Sequence, residues 1–124
     1  MPSTVVSDRR GRPTYTVDLA RATWELATAG FSGVVHAANG GIASWYDVAR
    51  RIYAAADAED LLQACSAAEY SAAARRPVWS VLETSKLGRL LGRSLPSWGE
   101  AMDKFLTQMV ELPQPPGISS QRGL

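Results

Sequence analysis

Arginine carries most of the chemistry this sequence can offer. Arg9-Arg10-Gly11-Arg12 and Arg75-Arg76 place five guanidinium groups in two short stretches, the first of them followed by the hydroxyl of Thr14. A guanidinium stays charged and presents its N–H donors in a rigid fork. Such residues serve as solvated loop positions, as anion ligands, or as ion-pair partners, here of Glu69 or Glu83. The first cluster also suits a small nucleic-acid patch. Against that stands the balance of 13 basic and 12 acidic residues, a net charge of +1, which is not that of a nucleic-acid arm.

The other reactive side chains are few. One cysteine, Cys65, excludes an internal disulfide, and with the single His36 it cannot complete a four-ligand zinc site. Cys65 reads as a small buried apolar group, and His36, inside an apolar stretch, as a hydrogen-bonded structural histidine. Asp8 and Asp18 read as turn and cap acceptors. No Gly-x-Gly-x-x-Gly, Gly-x-x-Gly-x-x-Gly or Gly-x-x-x-x-Gly-Lys-Ser/Thr loop is present, and no Gly-x-Ser-x-Gly elbow. A Tyr-x-x-x-Lys pair is also missing. Tyr46 is followed at that distance by Arg50, and the other tyrosines by Leu19, Asp57 and Ala74.

These residues must be positioned by a short alternation of helices and strands. Val5-Val6 predicts a strand at 4–7, followed by a loop punctuated by Gly11 and Pro13. Thr16 is the expected N-cap of a helix with Asp18 in its first turn. Its apolar face recurs through Leu19, Ala22, Thr23, Leu26 and Ala27, and Gly30 ends it. Gly33–Ala37 reads as a buried strand and Asn39-Gly40-Gly41 as a turn. Ser44-x-x-Asp47 resembles a capping box, opening a helix with the stripe Trp45, Val48, Ala49, Ile52, Tyr53 and Ala56. Arg50 and Arg51 fall off that stripe and read as solvated.

A second strand is expected at 60–66 and an irregular stretch at 67–77. An extended segment follows at 78–82, then a short helix capped by Thr84 or Ser85 and closed by Gly92. The last helix opens at Ser97-x-x-Glu100, with Trp98, Met102, Phe105 and Met109 on one face. Trp45 and Trp98 read as core anchors, and Trp79 as a core or ligand-stacking residue. Residues 112–124 are rich in Pro, Gly and Ser and read as a disordered tail.

At 124 residues, 46% apolar and 20% charged, the chain has the composition of one globular domain. No apolar run approaches the 18 or so residues of a membrane span, and the first residues lack the regions of a signal peptide. The expectation is a cytoplasmic α/β domain with about four helices and a small partial sheet, residues 1–111.

Three ordered segments resemble one family. They are Val5–Ala20, with Asp8-Arg-Arg-Gly-Arg-Pro-Thr14; Gly33-Val-Val-His-Ala-Ala-Asn39 with Ser44-Trp-Tyr-Asp-Val-Ala49; and Glu69-Tyr70, Ala74-Arg-Arg-Pro-Val-Trp-Ser-Val-Leu-Glu-Thr-Ser-Lys-Leu87 and Leu95-Pro-Ser-Trp98. Together they resemble the C-terminal, substrate-binding part of dTDP-4-dehydrorhamnose reductase, an extended short-chain dehydrogenase, over about residues 4–110.

The resemblance implies a partial short-chain dehydrogenase fold lacking most of the Rossmann domain. In the complete enzyme it implies NADPH-dependent reduction of dTDP-4-dehydro-L-rhamnose to dTDP-L-rhamnose. The glycine fingerprint and Tyr-x-x-x-Lys pair would lie in the Rossmann half, so no cofactor is expected on this chain and no activity from it alone. In related sugar-nucleotide epimerases an arginine matching Arg76 contacts the diphosphate. The resemblance therefore implies that role for Arg76 alone, with Arg75 as a neighbour able to exchange with it; the Asp8–Thr14 loop can bring Arg12, a backbone N–H and the Thr14 hydroxyl toward the same dTDP-sugar. A diphosphate carries about two negative charges, and charge-assisted hydrogen bonds from a guanidinium contribute roughly 1.5–3 kcal/mol each.

The sequence departs from the family at Arg9, where a glutamine is usual, and at Ser71-Ala72-Ala73, where Pro-Thr-Pro is usual. The family also includes a non-reducing regulatory subunit of methionine adenosyltransferase. The resemblance thus also allows a binding or regulatory module, docking on a separate Rossmann half, self-association through an apolar face left open, or a gene remnant without function.

Overall fold

A computed structural model describes residues 2–70 and 73–111, side chains of 110 and 111 excepted. The elements run β1 (Ser3–Val6), α1 (Thr16–Thr28), α2 (Trp45–Ala55), a 3-10 turn (Glu59–Leu61), β2 (Leu62–Cys65), α3 (Ser85–Leu91) and α4 (Trp98–Glu111). This is the expected small α/β arrangement. The expected tail at 112–124 lies outside the described residues.

The strands form a two-stranded parallel sheet with Ser3 opposite Leu62 and Val6 opposite Cys65. Parallel strands need a long crossover, and α1 and α2 lie within it. α2 packs against both strands and α1 against α3. The latter contact builds a small core from Ala22, Leu87 and Leu95, flanked by Leu26, Val35, Ala37 and Leu91. Full burial of a leucine such as Leu87 contributes about 1.5–3 kcal/mol. Cys65 is buried, as expected of a small apolar group. Among the described residues, no helix is long and apolar enough to cross a membrane.

Several local expectations are corrected. Gly33–Ala37 is no strand: a bend at Gly33 is followed by residues without regular structure. Val35 and Ala37 do turn toward the core, but Val34 is 76% exposed and the segment has no ladder partner. His36 is exposed rather than a buried structural group. The N-cap of α1 is Tyr15 and it makes no side-chain cap; the Tyr15 N–H is instead taken by Asn39 Oδ1 at 2.6 Å. Arg51 is not simply solvated: its Nη1 bonds the Gly99 carbonyl at 2.9 Å and Asp103 at 2.6 Å, tying α2 to α4. Trp45, expected in the core, is 64% exposed.

Candidate functional site

The arginine loop at 8–14 is held in place by backbone pairing on both sides. Arg10 N–H donates to the Val78 carbonyl and Ser80 N–H to the Arg10 carbonyl, at 2.9 and 2.8 Å. Gly11 and Ala43 exchange both bonds, at 2.9 and 3.0 Å. The loop therefore lies between the 78–82 segment and the start of α2. The start of α2 is fixed by the capping box that the sequence announces. Ser44 Oγ accepts from Asp47 N–H at 3.1 Å, and Asp47 Oδ2 accepts from Ser44 N–H at 2.8 Å. Asp47 Oδ2 also takes Arg10 Nη1 at 3.0 Å.

Behind the loop stands a buried polar knot. Asn39 donates Nδ2–H to Asp18 Oδ2 at 2.9 Å and to the Pro96 carbonyl at 3.0 Å. Next to it, Gly41 has φ +82° and a Cβ there would stand 2.9 Å from Trp98 Cδ1, so this turn demands glycine.

A groove of about 1350 Å³ opens among β1, this loop, the start of α2 and residues 74–82. Arg9, Arg10, Arg12, Arg75 and Arg76 all line it, with Thr14, and among the described residues no Asp or Glu does. A smaller recess of about 350 Å³ beside α2 sets Arg50 and Arg51 against Asp47 and Glu59, so its charges balance. The larger groove is the anion-attracting one.

The five arginines are used differently. Arg12 is engaged: Nε donates to the Gly41 carbonyl at 3.1 Å, and Nη1 to the Leu82 carbonyl at 2.8 Å and Thr84 Oγ1 at 2.9 Å. This clamp binds the loop to two other segments. Thr14 Oγ1 donates to the Arg12 carbonyl at 3.1 Å and accepts from Asn39 N–H at 3.3 Å. Arg9 pairs with Asp8 at 3.5 Å and donates to the Arg76 carbonyl at 3.3 Å. Arg75 and Arg76 are exposed, and their guanidiniums have no ion-pair partner among the described residues.

Neither Glu69 nor Glu83 pairs with Arg75 or Arg76. Glu69 accepts from Ser66 Oγ. Glu83 accepts from Ser85 N–H at 2.6 Å, and hydrogen bonds from Ser85, aided by the Arg12 charge, hold its carboxyl below its ordinary range. Asp8 Oδ1 accepts from Ala67 N–H at 2.9 Å, a contact across 59 positions rather than within its own turn.

Two aromatic residues, Trp45 and Tyr70, also line the groove. Residue patterns do not single them out, because a helical stripe position for Trp45 predicts burial. The available signal is that Trp45 directly follows the N-cap Ser44, at the end of the helix that faces the arginine loop.

The sequence matches the RmlD substrate binding domain over residues 2–111. The chain belongs to that family. It is 33% identical over 108 residues to a dTDP-4-dehydrorhamnose reductase of Mycolicibacterium smegmatis, covering 86% of this chain and 33% of that protein. It is 32% identical over 114 residues to a probable dTDP-4,6-dihydroxy-2-methyloxan-3-one 4-ketoreductase of Streptomyces antibioticus, covering 90% of this chain and 39% of that one.

The fold superimposes with a TM-score of 0.79 on the crystal structure of dTDP-4-dehydrorhamnose reductase from Bacillus anthracis in complex with NADP, at 32% identity, over 86% of this chain and 38% of that one. This member of the RmlD substrate-binding-domain family thus spans between a third and two-fifths of the length of these relatives. β1 runs into the arginine loop rather than a glycine fingerprint, and no such fingerprint occurs elsewhere in the sequence.

Proposed function

We propose that residues 1–111 are the sugar-nucleotide-holding part of a dTDP-4-dehydrorhamnose reductase. In this reading Arg76 and Arg75 grip the diphosphate of the dTDP-sugar, while Arg12 and Thr14 fix the loop that shapes the groove. NADPH-dependent reduction of dTDP-4-dehydro-L-rhamnose to dTDP-L-rhamnose belongs to the complete enzyme, and this chain alone does not turn over. One observation carries the reading: among the described residues, five arginines and no carboxylate line a single groove in a member of this family. Arg75 and Arg76, without an ion-pair partner among the described residues, carry the positive charge that complements a diphosphate. A fork–fork pairing with phosphate oxygens gives direction as well as attraction.

The test is calorimetric titration of the 124-residue chain with dTDP. Arg76→Ala should weaken binding at least tenfold, in line with about 1.5–3 kcal/mol for a hydrogen bond to a charged group, and Arg76→Lys should recover only part of it. Unchanged affinity in Arg76→Ala would contradict the reading. Steady NADPH oxidation by the chain with the keto-sugar nucleotide would contradict its silence.

The reading includes a protein partner, either a dinucleotide-binding half carried on other polypeptide or a second copy of this chain. It is supported by the open outer edges of the two-stranded sheet and by Trp24 and Val34, exposed to 71% and 76%. Sedimentation at rising concentration tests it. The cytoplasmic setting belongs to the same proposal, in keeping with a lone cysteine that is free and buried.

A further inference from the structure

We infer that Trp45 is the platform on which the nucleobase of the bound nucleotide stacks, an inference that rests on the reading of the groove given above. Of the four tryptophans, Trp45 is the one that lines the arginine groove. Its neighbours Ala43 and Ser44 are buried, yet the indole itself is left largely open. Its faces are not spent on a cation: the cation–π contacts among the described residues are Arg51 with Trp98 and Lys86 with Phe31.

The mounting is rigid. Trp45 is the first residue of α2, directly after the capped Ser44. Asp47 closes that capping box and holds Arg10 with the same carboxylate oxygen, Oδ2. The helix start and the arginine loop thus share one anchor, which fixes a flat apolar surface beside a row of guanidiniums. A nucleoside diphosphate has the complementary form, a planar base joined to a charged tail. Base–aromatic stacking is sequence-tolerant and strong enough to anchor a base in water. Tyr70 lines the same groove, but from a turn after β2 rather than from a capped helix, so it is less preorganised.

Calorimetric titration of the full chain with dTDP, and separately with inorganic pyrophosphate, separates base from phosphate. Trp45→Ala should lose at least about fivefold in dTDP affinity and keep its pyrophosphate affinity, while Trp45→Phe should restore most of the loss. Equal losses for both ligands would make Trp45 a merely structural residue and overturn the inference. So would unchanged dTDP affinity, including the case where Trp45→Ala alters only the sedimentation of the chain and the indole proves to be covered by protein. If the wild-type chain binds pyrophosphate but dTDP no better, the stack falls and the anion groove stands. If it binds neither, the reading of the groove falls with it.

Discussion

Asn39 shows how much one side chain can hold. It is 0% exposed, and its amide serves the start of α1, the Asp18 carboxylate and the Pro96 carbonyl at once. Truncation to alanine strands a buried carboxylate and a backbone N–H together, and each stranded group costs about 1–3 kcal/mol. Asn39→Ala should therefore destabilise the chain by roughly 2–4 kcal/mol in chemical denaturation. A loss below about 0.5 kcal/mol, the level of an ordinary surface substitution, would show that the knot is dispensable. In the sequence Asn39 is legible only as a turn residue, because its partners lie 24, 21 and 57 positions away. The arginine clusters are legible as clusters for the opposite reason, being local. What Arg12 does with its guanidinium depends on Gly41, Leu82 and Thr84, distant in the chain, and no local pattern reveals it.

At the scale of elements, legibility follows the same division. The capping box of α2 is written within four residues, and it forms as read. Gly92 ends α3 in the left-handed conformation that its type predicts. The 33–37 segment has the composition of a strand and alternates toward the core, but a strand also needs a neighbour, and composition says nothing about neighbours.

Thr84 or Ser85 is expected as the cap of α3; the N-cap is Thr84, yet it makes no side-chain cap and its hydroxyl accepts from Arg12 instead. Glu83 supplies the missing acceptor to Ser85 N–H. Because that bond depresses the Glu83 carboxyl, its contribution is present above the ordinary carboxylate pKa and is lost as pH falls through the depressed value. On acidification the Ser85 amide should therefore lose protection from hydrogen exchange, with its midpoint below the ordinary glutamate range. Glu83→Gln should abolish that titration. A Ser85 amide indifferent to pH in the wild-type chain would remove Glu83 from the role.

At the scale of the molecule, two features stand out. Net charge is close to zero, yet five of the thirteen basic residues line one groove, while the ion pairs Arg51–Asp103 and Arg93–Glu25 lie elsewhere on the surface. The field is therefore local, suited to a small anion rather than a polymer. The other feature is the sheet. Parallel sheets are ordinarily covered on both faces and seldom stop at two strands. The chain alone should sediment with a weight-average mass that rises with concentration, and adding a dinucleotide-binding half should replace self-association with a defined complex. A compact, monodisperse monomer at high concentration would count against both.

The pairing of β1 with β2 also dictates when the molecule can acquire shape. Ser7 meets Cys65 across 58 positions, and Arg10 then meets Trp79. On a ribosome β1 must wait for this pairing until residues 62–65 have been synthesised, since closing so long a loop precedes any reward from its contacts. Polypeptides arrested before residue 62 lack the strand on which β1 zips, so the groove is assembled late and its ligand has nothing to select from a nascent intermediate.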